Sequence, residues 1–217
     1  MTDSGNPIVG QGAFGAPGFV LEYLRTGPDR GSLDEVSEAE AALMDVAVAP
    51  DGTGWAIGGD AKLYHQDLSG VLSAVFDIAS YQAGDPDPYD QDEPPGDATS
   101  SNPYGLAVLR SGDVLVVDAQ NNDMLRIAPN GEAVTVARFL PKPTSTDHLP
   151  PDFFPFPLPP SINAEAVPTG VAIGRDGWVY VSQLTGFPFR PGNASIFRVN
   201  PWAEDAVCST TPNPDCS

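Results

Sequence analysis

Few side chains in this 217-residue sequence are of types that do chemistry, and most of those carry a carboxylate. Asp and Glu number 29 against 10 Lys and Arg, for a net charge of −19. The densest run is Asp85-Pro86-Asp87-Pro88-Tyr89-Asp90-Gln91-Asp92-Glu93. Alternating carboxylates suit calcium, which takes about six to eight oxygens. This run lacks the glycine and closing bidentate glutamate of a standard calcium loop, so it reads as a solvated acidic loop. The two histidines, His65 and His148, have no serine or cysteine nucleophile signature beside them. Cys208 and Cys216 flank a proline-bearing stretch and fit a local disulfide in an oxidising compartment. A zinc site would need further ligands, and the histidines lie far off in sequence.

The elements that must position these groups come from a phrase used three times. Met44-Asp45-Val46-Ala47-Val48-Ala49-Pro50-Asp51-Gly52 returns at Tyr104-Gly105-Leu106-Ala107-Val108-Leu109-Arg110-Ser111-Gly112. It returns again at Thr169-Gly170-Val171-Ala172-Ile173-Gly174-Arg175-Asp176-Gly177. Each copy is a β-branched run, a turn closed by glycine and a second apolar run, the pattern of stacked supersecondary units. The middle copy reads as four strands joined by hairpin-length turns, and its Val114-Leu115-Val116-Val117 run lacks alternation, so both its faces must be covered. Four antiparallel strands with a covered inner pair describe one blade of a β-propeller.

The fold expected is therefore all-β: a partial arc of about three four-stranded blades. Residues 1–43 form an N-terminal segment with one outer strand at 19–24. Residues 44–199 hold the blades at 44–77, 104–139 and 169–199, joined by long loops 78–103 and 140–168. Residues 200–217 form a loop tail holding both cysteines, and the third blade lacks its fourth strand. The chain is expected to be the front part of a longer propeller. No apolar run reaches the roughly 18 residues of a membrane span. The acidic field repels nucleic acid, whose phosphates need clustered Lys and Arg. The start lacks the basic-then-apolar pattern of a signal peptide.

Both long loops join an outer strand to the next inner strand, so both emerge on one face. The second carries Phe153, Phe154 and Phe156 among prolines, and the aromatic loop inside the last blade carries Phe187 and Phe189. These five rings are the candidate ligand-binding residues, a platform for a small apolar or aromatic molecule or another protein. Alternatively, the three loop phenylalanines only cap the channel or cover the sheet edge. For metal chemistry at the channel mouth, carboxylate and asparagine ligands must converge from inner-strand ends, and Asp45 and Asn102 are the only candidates.

Val116-Val117-Asp118-Ala119-Gln120-Asn121-Asn122-Asp123-Met124-Leu125-Arg126-Ile127 resembles the core of an NHL repeat, a propeller-blade motif. Asn102-Pro103-Tyr104-Gly105-Leu106-Ala107-Val108, Val167-Pro168-Thr169-Gly170-Val171-Ala172-Ile173 and Gln183-Leu184-Thr185-Gly186-Phe187-Pro188-Phe189, followed by Arg190-Pro191-Gly192, resemble the bacterial ScyD/ScyE family, associated with synthesis of the pigment scytonemin. The resemblance covers about 44–199 and implies a six-bladed propeller, commonly exported, with no catalytic residues to carry over. The leading expectation is a secreted, extracellular or periplasmic, non-enzymatic binding propeller without a cofactor, linked to pigment or exopolymer metabolism. The alternative is a propeller hydrolase or lyase of the lactonase or streptogramin-lyase type, using a divalent cation.

Overall fold

In the computed structural model, residues 41–90 and 100–217 are described in full, together with the backbone of three short strands in the N-terminal segment. Those strands are β1 (Pro7–Gly10), β2 (Phe19–Tyr23) and β3 (Leu33–Glu38), paired antiparallel in that order. The outer strand expected at 19–24 is thus a middle strand, flanked on both edges.

The next sheet is β4 (Leu43–Val48), β5 (Gly54–Gly58), β6 (Lys62–Gln66) and β7 (Leu72–Asp77), antiparallel in chain order. A short helix, α1 (Ile78–Gly84), follows directly, with Asp77 as N-cap accepting from the Ser80 amide. The second full blade is β8 (Pro103–Val108), β9 (Val114–Asp118), β10 (Asp123–Ile127) and β11 (Ala133–Phe139). A two-stranded ribbon, β12 (Lys142–Ser145) and β13 (Ser161–Ala164), lies within the second long loop. The last sheet is β14 (Ala166–Ile173), β15 (Val179–Thr185) and β16 (Ser195–Val199). Inner strands neighbour one another in the sequence β1, β4, β8, β14, so the sheets form the open arc of a β-propeller.

The repeat is geometric as well as textual. In β4, β8 and β14 the register shifts at Met44, Tyr104 and Thr169, so each copy begins on the same bulge. Beyond the bulge Val46, Leu106 and Val171 face Ala56, Val116 and Val181 of the second strands. Each first turn closes on a glycine at positive φ: Gly52 at 91°, Gly112 at 93° and Gly177 at 81°. Only glycine adopts that conformation without strain, which explains why it ends all three phrases.

The core lies between blades. Val114 and Val116 point at the first blade with Ile57, Leu63 and Leu106. Leu115 and Val117 point at the third with Phe139, Val179, Val181 and Phe197. All four apolar side chains of β9 are fully buried, as an unbroken apolar run demands. Each such side chain contributes about 1.5–3 kcal/mol by leaving water.

The tail is more ordered than its composition suggests. β17 (Ala206–Cys208) adds to β11 as a parallel fifth strand, and Cys216 bridges to Val199 beside β16. Cys208 and Cys216 form a disulfide with Cα atoms 5.3 Å apart. Among the described residues no helix is long and apolar enough to cross a membrane.

Candidate functional site

The loop face is formed by the turns between second and third strands, 59–61, 119–122 and 186–194, and by the two long connections. Both connections dock there. The Ile78 amide bonds the Ala61 carbonyl, and the Ala119 amide bonds the Asn102 carbonyl. From the second connection, His148 Nε2 lies 2.9 Å from the Pro188 carbonyl and Arg190 pairs with Asp147.

The turn after β9 is held by carboxylates at both ends. Asp118 is fully buried and accepts from Ser101 Oγ at 2.5 Å, the Asn102 amide at 2.8 Å, the Gln120 amide at 3.0 Å and the Asn121 amide at 3.1 Å. It fastens the first long connection to the turn and has no exposed surface. Asp123, opposite it in register, takes both oxygens to Gln82 Nε2 of α1 at 3.0 and 3.1 Å. Burial, reinforced by the neighbouring Asp118 charge, raises the Asp123 carboxyl well above the ordinary value of 3.8. Asn121 closes this layer, its Oδ1 accepting the Asp87 amide at 3.1 Å and its Nδ2 donating to Asp123 at 3.2 Å.

Asn122 makes the layer above. Its backbone sits at φ 54°, and its Nδ2 donates to Asp87 Oδ2 at 3.0 Å and to Glu165 Oε2 at 2.9 Å. One amide nitrogen therefore joins two carboxylates from different long connections. With Nδ2 fixed by two anions, Oδ1 points elsewhere, and it is buried with no hydrogen-bond partner. A cavity of about 220 Å³ opens beside it, lined by Asp90, Gln120, Asn122 and Glu165. Asp87 stands behind Asn122 with 6% of its surface exposed. Burial raises its carboxyl above 3.8, against the opposing bonds from Asn122 and the Tyr89 amide. Asp87 is thus no solvated rim charge, because the Asn121-Asn122 turn folds over it. Glu165, just before β14, completes the group.

The candidates from sequence fall in different places. Asp45 takes the Val46 amide on Oδ1 and the Leu106 amide on Oδ2, both at 2.8 Å, tying β4 to β8. Asn102 is engaged through its backbone with Asp118 and Ala119. Asp45 is a stitch between blades, and among the described residues no hydrogen bond joins it to Asn102. Among the described residues no group of three or more His, Cys, Asp or Glu side chains could hold a metal ion. At the Asp87–Glu165 pair an N–H donor stands where a cation would require oxygen. Among the described residues, the divalent cation of the alternative reading therefore finds no fitting donor set at Asp45, Asn102 or the Asp87–Glu165 pair.

Phe153, Phe154, Phe156, Phe187 and Phe189 do converge. Phe154 meets Phe153, Phe156 and Phe187 with ring centroids 5.0, 5.4 and 5.5 Å apart, and Phe187 meets Phe189 at 5.9 Å. Phe154 against Phe187 locks the second connection to the third blade, while Phe153, Phe156 and Phe189 stay 54%, 57% and 69% exposed.

No family model matches the chain, and no curated protein matches it. Solved structures do. Regucalcin from Agrobacterium tumefaciens, a calcium-binding protein, superposes with a TM-score of 0.53 at 12% identity, over 94% of this chain and 63% of that one. Luciferin-regenerating enzyme gives 0.50 at 14%, over 89% and 55%. Catalytically inactive virginiamycin B lyase from Staphylococcus aureus, in complex with quinupristin, gives 0.45 at 14%, over 91% and 57%. The chain thus spans little more than half of the lyase chain. At these identities the likeness shows the fold alone. The expectation of a non-enzymatic binding propeller is nevertheless corrected: a structure that shares this arc is an enzyme, so the architecture does not carry a non-enzymatic role. On the same face the Asn122, Asp87 and Glu165 group borders a cavity, beside an aromatic cluster that keeps three rings open to solvent.

Proposed function

We propose that this chain carries part of a propeller hydrolase or lyase that opens a cyclic ester on its loop face. One observation carries the reading: Asn122 grips Asp87 and Glu165 through Nδ2 and leaves Oδ1 buried and unpartnered beside a cavity lined by Glu165 and Asp90. An orphaned acceptor needs a donor, and a substrate N–H or O–H supplies one. Glu165 and Asp90, which both line the cavity, are the groups assigned to take and return a proton. Asp87 is a positioning residue acting through Asn122. The cavity, about 220 Å³, is smaller than the roughly 300–1,000 Å³ of sites that enclose a whole ligand, so it receives only the reacting end of a larger molecule. No step requires a metal at Asp45 or Asn102.

The shared fold with luciferin-regenerating enzyme supports an enzymatic reading, and the Cys208–Cys216 disulfide supports an extracellular or periplasmic place of action. The ScyD/ScyE resemblance enters this proposal as the source of the blade architecture and supplies no catalytic residue.

The test is product analysis by mass spectrometry after incubation with quinupristin and with simple δ-lactones. Hydrolysis adds one water to the product mass. Elimination opens the ring with the mass unchanged, because the proton taken from carbon ends on the leaving carboxylate. Either product, absent with Glu165→Gln, supports the reading; intact substrates throughout would reject it.

A further inference from the structure

The opposite face, where first and second strands turn, carries a separate feature. Arg110 and Arg175 occupy equivalent places in the second and third phrases, each two residues before the turn glycine. The first blade has Pro50 there and makes the same turn, with Ala49 N bonded to Thr53 O as Leu109 N is to Asp113 O. Arginine is therefore not needed to build the turn. Both side chains are exposed, and among the described residues neither has an ion-pair partner in a chain of net charge −19. Arg126 and Arg198 nearby are already engaged, with Asp113 at 3.5 Å and with Asp176 at 3.1 Å.

Between the two free guanidinium groups lies a cleft of about 630 Å³, lined also by Leu109, Ile173, Pro201 and Trp202. Ile173 is 41% exposed and Trp202 54%, and the Arg126 guanidinium stacks 4.8 Å from the Trp202 ring centroid, so the floor is a partly open apolar surface with a cation against it. Asp176 borders the cleft, but its carboxylate is taken by Arg198, the Tyr180 hydroxyl and the Trp178 amide.

We propose that this cleft binds a small aromatic anion, a planar apolar body bearing a carboxylate or sulfonate. The ring packs on Trp202 and Ile173, and the anionic group meets the forked donors of Arg110 and Arg175, whose geometry matches a planar carboxylate. The volume lies within the range of small-molecule sites, roughly 300–1,000 Å³. Solvent exposure of the guanidinium groups keeps the affinity modest.

The experiment titrates 1-naphthoate into the full chain and follows the indole N–H resonances by NMR, with the Trp202 signal assigned from Trp202→Phe. 1-Naphthylmethanol serves as the neutral probe and inorganic phosphate as the bare anion. Saturable shifts confined to Trp202, weakened about fivefold or more in the Arg110→Gln/Arg175→Gln double variant, support the proposal. The Arg110→Lys/Arg175→Lys variant keeps the charge without the fork and should fall between. Equal binding of the neutral alcohol, equal binding of phosphate, an unchanged double variant or no saturable shift would each overturn it. The variant's melting temperature should match the parent, because these turn side chains make no contact the fold needs.

Discussion

Asp45 Oδ2 accepts the amide N–H of Leu106 at 2.8 Å, a hydrogen bond that runs from the inner strand of one blade to the inner strand of the next. The equivalent positions in the later blades are Gly105 and Gly170. A Cβ on Gly105 would stand 3.1 Å from the Thr169 carbonyl oxygen and 3.3 Å from Gly170 Cα. One blade interface is stitched by a carboxylate, and the next is closed by direct backbone approach.

Asp45→Ala should lower stability by about 1–3 kcal/mol, because it strands the Leu106 amide away from water. Asp45→Asn, which keeps an acceptor, should lose less. Denaturant unfolding measures both. Equal losses for the two would show that charge rather than the hydrogen bond holds the blades.

Asp118→Ala removes the acceptor for four donors and should cost several kcal/mol, more than Asp45→Ala. Residues 100–102 should lose amide protection in hydrogen exchange, since Asp118 fastens them. Retained protection there would refute this anchoring role.

The blades were legible because their signals are local. Val114-Leu115-Val116-Val117 and the three turn glycines dictate a covered strand and tight turns wherever they occur. β17 was not, since three residues of Ala206-Val207-Cys208 carry no pattern and pair with a strand far back in sequence. Asp87 was misread for a similar reason. Within a run of alternating acids it looks solvated, and only Asn121 and Asn122, distant in sequence, bury it. Asn122 itself hid in a turn whose Asn-Asn pair is explained by turn geometry alone. Asp45 was recognisable as a polar residue at an inner-strand end, but its partner is a backbone amide, which has no sequence signature.

Folded Asp123 and Asp87 hold their protons to higher pH than the ordinary 3.8. Above that value the folded state binds more protons than the unfolded one, so their contribution to stability falls as pH rises. Asp147 and Asp51 are shifted downward by hydrogen bonds, chiefly from Arg190 and from Thr53, so their contribution is lost at lower pH. The advantage of the parent over Asp123→Asn should therefore shrink as pH is raised from the ordinary carboxylate range toward neutral. Melting temperatures across that range decide it, and a constant difference would contradict the shift.

Reducing the Cys208–Cys216 disulfide should cost about 2–3 kcal/mol for so short a loop. β17 should loosen from β11, where the Leu140 amide on the Cys208 carbonyl and the Asp205 amide on the Thr135 carbonyl remain to hold it. An identical melting temperature with and without dithiothreitol would show that the tail is held by its backbone bonds alone.

The central claim is that the loop face around Asn122 is where chemistry occurs. Its most direct test is the steady-state rate of cyclic-ester opening by the full chain, Glu165→Gln and the exposed-loop control Asp152→Asn. The account predicts measurable turnover in the parent and in the control. It predicts a loss of about 10²-fold or more in kcat for Glu165→Gln with KM little changed, as removal of a proton-transfer group requires. Equal kcat for the parent and Glu165→Gln, or no turnover by the parent, would contradict it.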